Sequence, residues 1–305
     1  MLRKAVANLK KNHVIGLPTE TVYGLAGNAY SSKSVKNIYK LKKRPKYNPL
    51  IIHYFDKEAL KKDVILNENF FKLYKKFCPG PITFILRKKN ESKINPLALA
   101  KLKTVAIRFP HHKIIRLILK KISFPLAMPS ANISSSISPV CAKDVADEFQ
   151  QKIKFILDGG KSFVGIESTV VDLTNKPRIL RPGIIGPESI NKVLKNNIRY
   201  SKKTSIIKSP GMLKKHYSPG IPIKLNRVRG GKNDAYITFG KKYKKKYNHF
   251  NLSRKSNLNE AASNLYKIMR IIKKKKFKKI NVVKIPKRGI GIAINDRLER
   301  AAQKK

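Results

Sequence analysis

Short apolar runs, each followed by a polar loop, recur through the first 183 residues and limit what the chain can fold into. Residues 14–17, 50–53, 82–86, 104–109, 122–128, 155–157, 170–173 and 178–183 are brief and rich in Val, Ile, Leu or Phe, so each reads as a strand. Between them lie helical segments over 1–12, 32–44, 56–63, 68–77, 143–151 and 187–194. Strands interleaved with amphipathic helices predict an α/β protein. In the run 104–109, Val105, Ile107 and Phe109 share one face, while Thr104, Ala106 and Arg108 share the other. An arginine at a strand end is well placed to grip a carboxylate or phosphate with two parallel hydrogen bonds.

The prolines and glycines of 201–220 mark a stiff linker, which divides the 305 residues into 1–200 and 221–305. Beyond it, a strand at 234–239, a helix at 258–272, a strand at 280–283 and a helix at 290–302 predict a small α/β unit in β-α-β-α order. No run approaches the roughly 20 apolar residues that span a membrane, and the amphipathic start lacks the core of a signal peptide. Cys78 and Cys141 lie far apart, without metal-type spacing or a disulfide framework, so a reducing cytoplasm is expected. The net charge is +52, from 69 Lys and Arg against 17 Asp and Glu. Such an excess attracts polyanions. The lysines are spread over nearly every segment, as an AT-rich coding sequence would also leave them.

The loops carry the chemistry. Pro129-Ser130-Ala131-Asn132 and the serines up to Ser138 sit between an apolar run and a helix start, where unpaired backbone N–H groups and the helix dipole favour an anion. Residues 19–28, with hydroxyls, one carboxylate and two glycines, read as a loop that lets backbone approach a ligand. Taken singly, each feature has a plainer reading. Serine-rich loops often only cap helices, Lys42-Lys43-Arg44 could merely complement a helix dipole, and a lone His53 is usually structural. Glu20, Glu167 and Asp172 fall in motif-like loops or strand ends, where a magnesium-nucleotide could use one or where they could cap or face solvent. The chain has no nucleophile elbow, no Walker-type phosphate loop and no His/Cys metal cluster, a pattern that suits positioning and charge neutralisation without a covalent enzyme intermediate.

Read together, Pro18-Thr19-Glu20-Thr21-Val22-Tyr23-Gly24-Leu25, Lys42-Lys43-Arg44-Pro45 with Asn48-Pro49-Leu50, Ser130-Ala131-Asn132, Gly165-Ile166-Glu167-Ser168-Thr169-Val170 and Arg181-Pro182-Gly183 closely resemble the YrdC-like threonylcarbamoyl-AMP synthase family. Ser209-Pro210-Gly211-Met212 and His216-Tyr217-Ser218-Pro219 resemble the linker of its long two-domain members. The resemblance implies a twisted mixed sheet around a basic concave cavity, with a small C-terminal Rossmann-like domain. It implies a nucleotidyltransferase that joins L-threonine, bicarbonate and ATP, carried with Mg2+, into threonylcarbamoyl-AMP and pyrophosphate, for N6-threonylcarbamoyladenosine at position 37 of tRNA. Thr21, His53, Arg108 and Ser168, with backbone at Met128, would then bind threonine. Lys42, Arg44, Asn48, Thr104, Ser130, Asn132, Ser138 and Arg181 would hold ATP, with Lys42, Arg44, Ser130 and Asn132 nearest the chemistry and Tyr217 closing over the nucleotide. Partners would be tRNA or a downstream threonylcarbamoyl-transferase, and no membrane. Two positions depart from the family pattern: Ser134-Ser135-Ser136 replaces a common glycine, and Lys43 a small residue. A non-catalytic module of the same fold, binding double-stranded RNA or nucleotide alone, is the alternative these residues leave open.

Overall fold

The computed structural model describes residues 1–198, 200 and 216–303. In its N-terminal part the strands are β1 (Ile15–Leu17), β2 (Gly24–Asn28), β3 (Ile51–His53), β4 (Val64–Ile65), β5 (Ile82–Lys88), β6 (Thr104–Arg108), β7 (Leu126–Ala127), β8 (Thr169–Asp172) and β9 (Arg178–Arg181). The helices are α1 (Leu2–Lys10), α2 (Ser32–Lys42), α3 (Lys57–Leu60), α4 (Glu68–Phe77), α5 (Lys113–Lys121), α6 (Ala142–Phe149) and α7 (Pro187–Leu194). The strands form one mixed sheet in the order β1-β2-β7-β3-β6-β5-β8-β9, with β4 attached to β5. The pairs β3–β6 and β5–β8 are parallel and the others antiparallel.

The alternation expected in β6 decides which face carries the site. Val105, Ile107 and Phe109 join Ile52, Phe70 and Phe84 in the main core, where α2 and α4 cover the sheet. The opposite face holds a small apolar patch of Ile51, Ile85, Ala106, Val170 and Leu180. Residues of the same parity as this patch, His53 and Arg108, are register partners across β3 and β6. Toward β1 that face is closed by α1 and α5, whose Ala5, Leu9, Ile115 and Ile118 pack on Leu126 and Met128.

The C-terminal part contains β10 (Ile223–Leu225), β11 (Asp234–Thr238), β12 (His249–Asn251), α8 (Leu258–Lys274), β13 (Lys279–Val282) and α9 (Gly291–Ala301). Its sheet, ordered β10-β13-β11-β12, is parallel throughout. Its apolar core runs on without interruption into Val22, Ile137, Val164, Ile166 and Tyr217 of the preceding chain. Gly165 shows how close the docking is. It has φ 76°, and a Cβ there would lie 2.5 Å from Ser263 Cα on α8, so only glycine fits.

Several expectations need correction. Residues 24–28 are a strand and not a loop, because both edges of β2 are paired, to β1 and β7. Its glycines serve packing: a Cβ on Gly24 would lie 2.4 Å from Met128 Cγ. Residues 155–157 make only a bridge to Gly16. The run 122–128 pairs only at β7, and 56–63 contains a single helical turn. The C-terminal β-α-β-α order gains β10 and β12, strands of only 3 residues each, too short to show an alternating pattern. The motif Ser209-Pro210-Gly211-Met212 and most of the linker lie outside the described residues.

Candidate active site

A buried cavity of about 480 Å3, counting its mouth, opens on the His53–Arg108 face. The turn between β1 and β2 supplies Thr19 and Val22, β2 begins with Gly24, and β3 supplies Ile51 and His53. Arg108 ends β6, Met128-Pro129-Ser130 follow β7, and Arg181 ends β9. Arg44 enters just past α2, Glu167 lies just before β8, and His216 and Tyr217 close the wall. Three guanidiniums therefore meet in one hollow.

The electrostatics favour an anionic guest. Arg108 Nη2 donates to Glu20 Oε1 at 2.6 Å, and Glu20 also accepts the backbone N–H of His111 at 3.1 Å. Arg108 Nε, Asn48 Nδ2 and the Tyr217 hydroxyl are buried with no partner among the described residues. Buried donors of this kind are costly unless something accepts from them. Burial, reinforced by the Arg108 charge, holds the His53 imidazole well below its ordinary pKa, so it enters the site neutral.

Residues 7–183 match the Sua5/YciO/YrdC family, described as telomere recombination, and residues 185–303 match the threonylcarbamoyl-AMP synthase C-terminal domain. The threonylcarbamoyl-AMP synthases of Pyrococcus abyssi and Bacillus subtilis are each 36% identical to this chain over 99% of it, and over 94% and 92% of their own lengths. The chain belongs to the two-domain Sua5 family of threonylcarbamoyl-AMP synthases. A crystal structure of P. abyssi Sua5 complexed with L-threonine matches with a TM-score of 0.89 at 34% identity, covering 99% of this chain and 94% of that one. The fold of the described residues is therefore Sua5-like in both parts.

Within this Sua5 site, the residues singled out from the sequence divide into those that line the cavity and those that hold the lining in place. Arg44, His53, Arg108, Met128, Ser130, Arg181 and Tyr217 line it. Asn48 stands behind Arg44, accepting from its Nη2 and, through its carbonyl, from its Nε at 2.9 Å. Ser168 does the same for Arg181, whose Nη2 donates to its Oγ at 3.0 Å and whose Nε donates to its carbonyl at 3.0 Å. Thr21 pairs with Thr19, and Thr19 reaches the cavity. Ser138 donates to Glu167 at 2.6 Å. Lys42 is almost wholly buried, and its Nζ donates to the carbonyls of Ser130 and Asn132, both at 2.5 Å. Its own carbonyl accepts from Ser134 N at 2.7 Å, so α2 and the serine loop are stitched together twice. Thr104 begins β6 opposite Arg87, about 13 Å of strand from Arg108, and lies apart from the cavity.

The position of the Ser130–Ser138 loop suggested an anion at a helix N-terminus, but no helix N-terminus lines the cavity. Helix α6 begins at Ala142, Val140 N is taken by Asp144 at 2.9 Å, and α6 contributes no residue to the cavity lining. Arginine side chains supply the positive potential. The three acids are neither solvent-facing nor helix caps. Glu20 pairs with Arg108, Glu167 with Arg297 at 2.8 Å, and Asp172 lies 3.5 Å from Arg178. Both departures from the family pattern fall at left-handed backbone, Ser135 at φ 69° and Lys43 at φ 49°, where a side chain costs roughly 1–2 kcal/mol more than glycine. Sequence reading also missed Val22 and His216 as lining residues. His216 adjoins the flagged Tyr217, so the motif itself was the available signal.

Acid should loosen the site in two steps. Burial, with Arg44, Lys42 and Arg181 nearby, outweighs the pull of Glu167 and holds His216 down at about 3, against an ordinary 6.5. Burial pushes Glu167 up, but Arg297 and then Arg181 outweigh it and hold the carboxyl at about 2, against 4.5. For both groups the unfolded chain takes up its proton before the folded one. Stability is then lost as pH falls, from 6.5 toward 3 for His216 and from 4.5 toward 2 for Glu167, the latter on the order of 3 kcal/mol. Thermal melts between pH 2 and 7 should show the midpoint falling below 6.5 and most steeply below 4.5, and Glu167→Gln should flatten the lower limb. A lower limb unchanged in that variant would remove Glu167 as its source.

Proposed function

We propose that the cavity joins L-threonine, bicarbonate and ATP into threonylcarbamoyl-AMP with release of pyrophosphate. The convergence of Arg44, Arg108 and Arg181 on one hollow, beside a neutral imidazole and the Ser130 loop, carries this reading. The threonine amine and bicarbonate lose water to form N-carboxythreonine. A carbamate oxygen then attacks the α-phosphorus, the bond to the α–β bridging oxygen breaks, and its electron pair leaves with pyrophosphate. Three anionic groups must share the site, so their mutual repulsion is the main barrier that fixed guanidiniums lower. Arg108 takes the amino-acid carboxylate, while Arg44 and Arg181 face the phosphates.

Magnesium enters as part of the nucleotide. Glu167, which lines the cavity, and Glu20, which stands behind Arg108, are both committed to arginines, so the triphosphate supplies the ion's oxygens. The C-terminal unit, parallel and flanked by helices, reads as Rossmann-like. Among the described residues no helix is long and apolar enough to cross a membrane. The product is a reactive mixed anhydride, which a cytoplasmic threonylcarbamoyl-transferase acting on adenosine 37 of tRNA would consume. The test is pyrophosphate release from MgATP. It should require threonine and bicarbonate together and stop when either is left out. ATP binding with no such release would leave the chain a nucleotide-binding module.

A further inference from the structure

A buried carboxylate is an odd lining for a cavity built to hold a triphosphate, and its partners explain it. Glu167 accepts from the Tyr266 hydroxyl at 2.9 Å and from Arg297 Nε at 2.8 Å. Tyr266 lies on α8 and Arg297 on α9, so both come from the C-terminal domain. Arg297 is 1% exposed, and its Nη2 also donates to the Pro182 carbonyl at 3.0 Å, next to Arg181. The same guanidinium sits 5.1 Å from the centre of the Tyr217 ring, and Tyr266 stacks on that ring at 5.8 Å with 25° between planes. Two C-terminal side chains therefore neutralise one wall of the cavity and clamp the aromatic ring of another.

We infer that Arg297 is a positioning residue for the synthase reaction, acting through Glu167 and Tyr217, so that the C-terminal domain is part of the nucleotide half of the active site. The inference rests on the proposed function only for which nucleotide is bound. Without Arg297, Glu167 loses its ion-pair partner and keeps only the hydroxyls of Ser138 and Tyr266 and the more distant charge of Arg181, so more of its negative charge faces the phosphates, and Tyr217 loses the cation over its ring. Both effects weaken nucleotide binding. Threonine, held by Arg108 across the cavity, is affected little.

A plain interface role predicts something different, and Arg270 provides the comparison. It crosses the same domain boundary, donating to the Ile137 carbonyl at 2.6 Å and lying 3.5 Å from Glu148, but it does not line the cavity. The full chain and its Arg297→Met, Tyr266→Phe and Arg270→Met variants would be titrated with MgATP by calorimetry. Thermal midpoints and pyrophosphate release would be measured alongside. Arg297→Met should weaken ATP binding at least tenfold while the KM for threonine moves less than threefold. Tyr266→Phe, which removes only a hydroxyl, should weaken it about threefold and covers the case that Arg297→Met fails to fold. Arg270→Met should lower the midpoint yet leave ATP affinity within twofold. Adding Glu167→Gln to Arg297→Met should restore part of the affinity, since the stranded charge is gone. Unchanged ATP affinity in Arg297→Met, or in Tyr266→Phe if the former does not fold, would overturn the inference, as would an equal loss in Arg270→Met. Wild-type chain that binds ATP but releases no pyrophosphate would instead overturn the proposed reaction.

Discussion

Arg108→Ala is expected to lower kcat/KM for threonine by about 10²–10⁴-fold, the loss of two charge-assisted hydrogen bonds at roughly 1.5–3 kcal/mol each. The effect is this large because nothing else can substitute. Arg108 is 4% exposed at the end of β6, and its Nε has no protein partner. The same change strands Glu20, which is fully buried and pairs with Arg108 at 2.6 Å, so stability should fall by about 3–5 kcal/mol. The two losses can be separated. Adding Glu20→Gln removes the stranded charge and should recover much of the thermal midpoint without recovering threonine use. Threonine titrations that give a KM within twofold of wild type, in either variant, would take Arg108 out of the amino-acid site.

Lys42→Met should lower kcat about 10²-fold and destabilise the fold by about 2–5 kcal/mol, with smaller changes in either KM. The resemblance assigns this ammonium to ATP, and in the structure its Nζ donates to the carbonyls of Ser130 and Asn132. Burial, together with the neighbouring Arg44, drives the Lys42 pKa well below its ordinary value. Two carbonyl acceptors offset that cost, and removing the amine leaves both buried and unpaired at about 1–3 kcal/mol each. The serine loop then loses its anchor to α2. A displacement of about 1 Å in a positioning group is enough to cost 10²-fold in rate. Steady-state kinetics with urea melts check both parts. A steep rise in the ATP KM at unchanged kcat would put the ammonium on the nucleotide and not on the loop.

Local order was largely legible from local pattern. The alternation in β6 placed Arg108 on the face away from the core. Where pattern misled, pairing or packing had overridden it. Gly24 and Gly27 read as a loop because glycine weakens isolated strands, yet β2 is held between two neighbours that leave no space for a Cβ on Gly24. Thr104 shares a parity with Arg108, but parity says nothing about distance along the strand.

By itself, the sequence determined most of the strand and helix segments and the set of polar motifs, because each depends on residues within a few positions of one another. Only the tertiary structure decided which of those polar groups face the cavity and which merely hold others. Lys42 meets a loop about 90 positions away, and Arg297 meets Glu167 across 130. Contacts of that kind are set by sheet register and by the docking of one domain on the other, where a shift of one residue would turn every side chain to the opposite face.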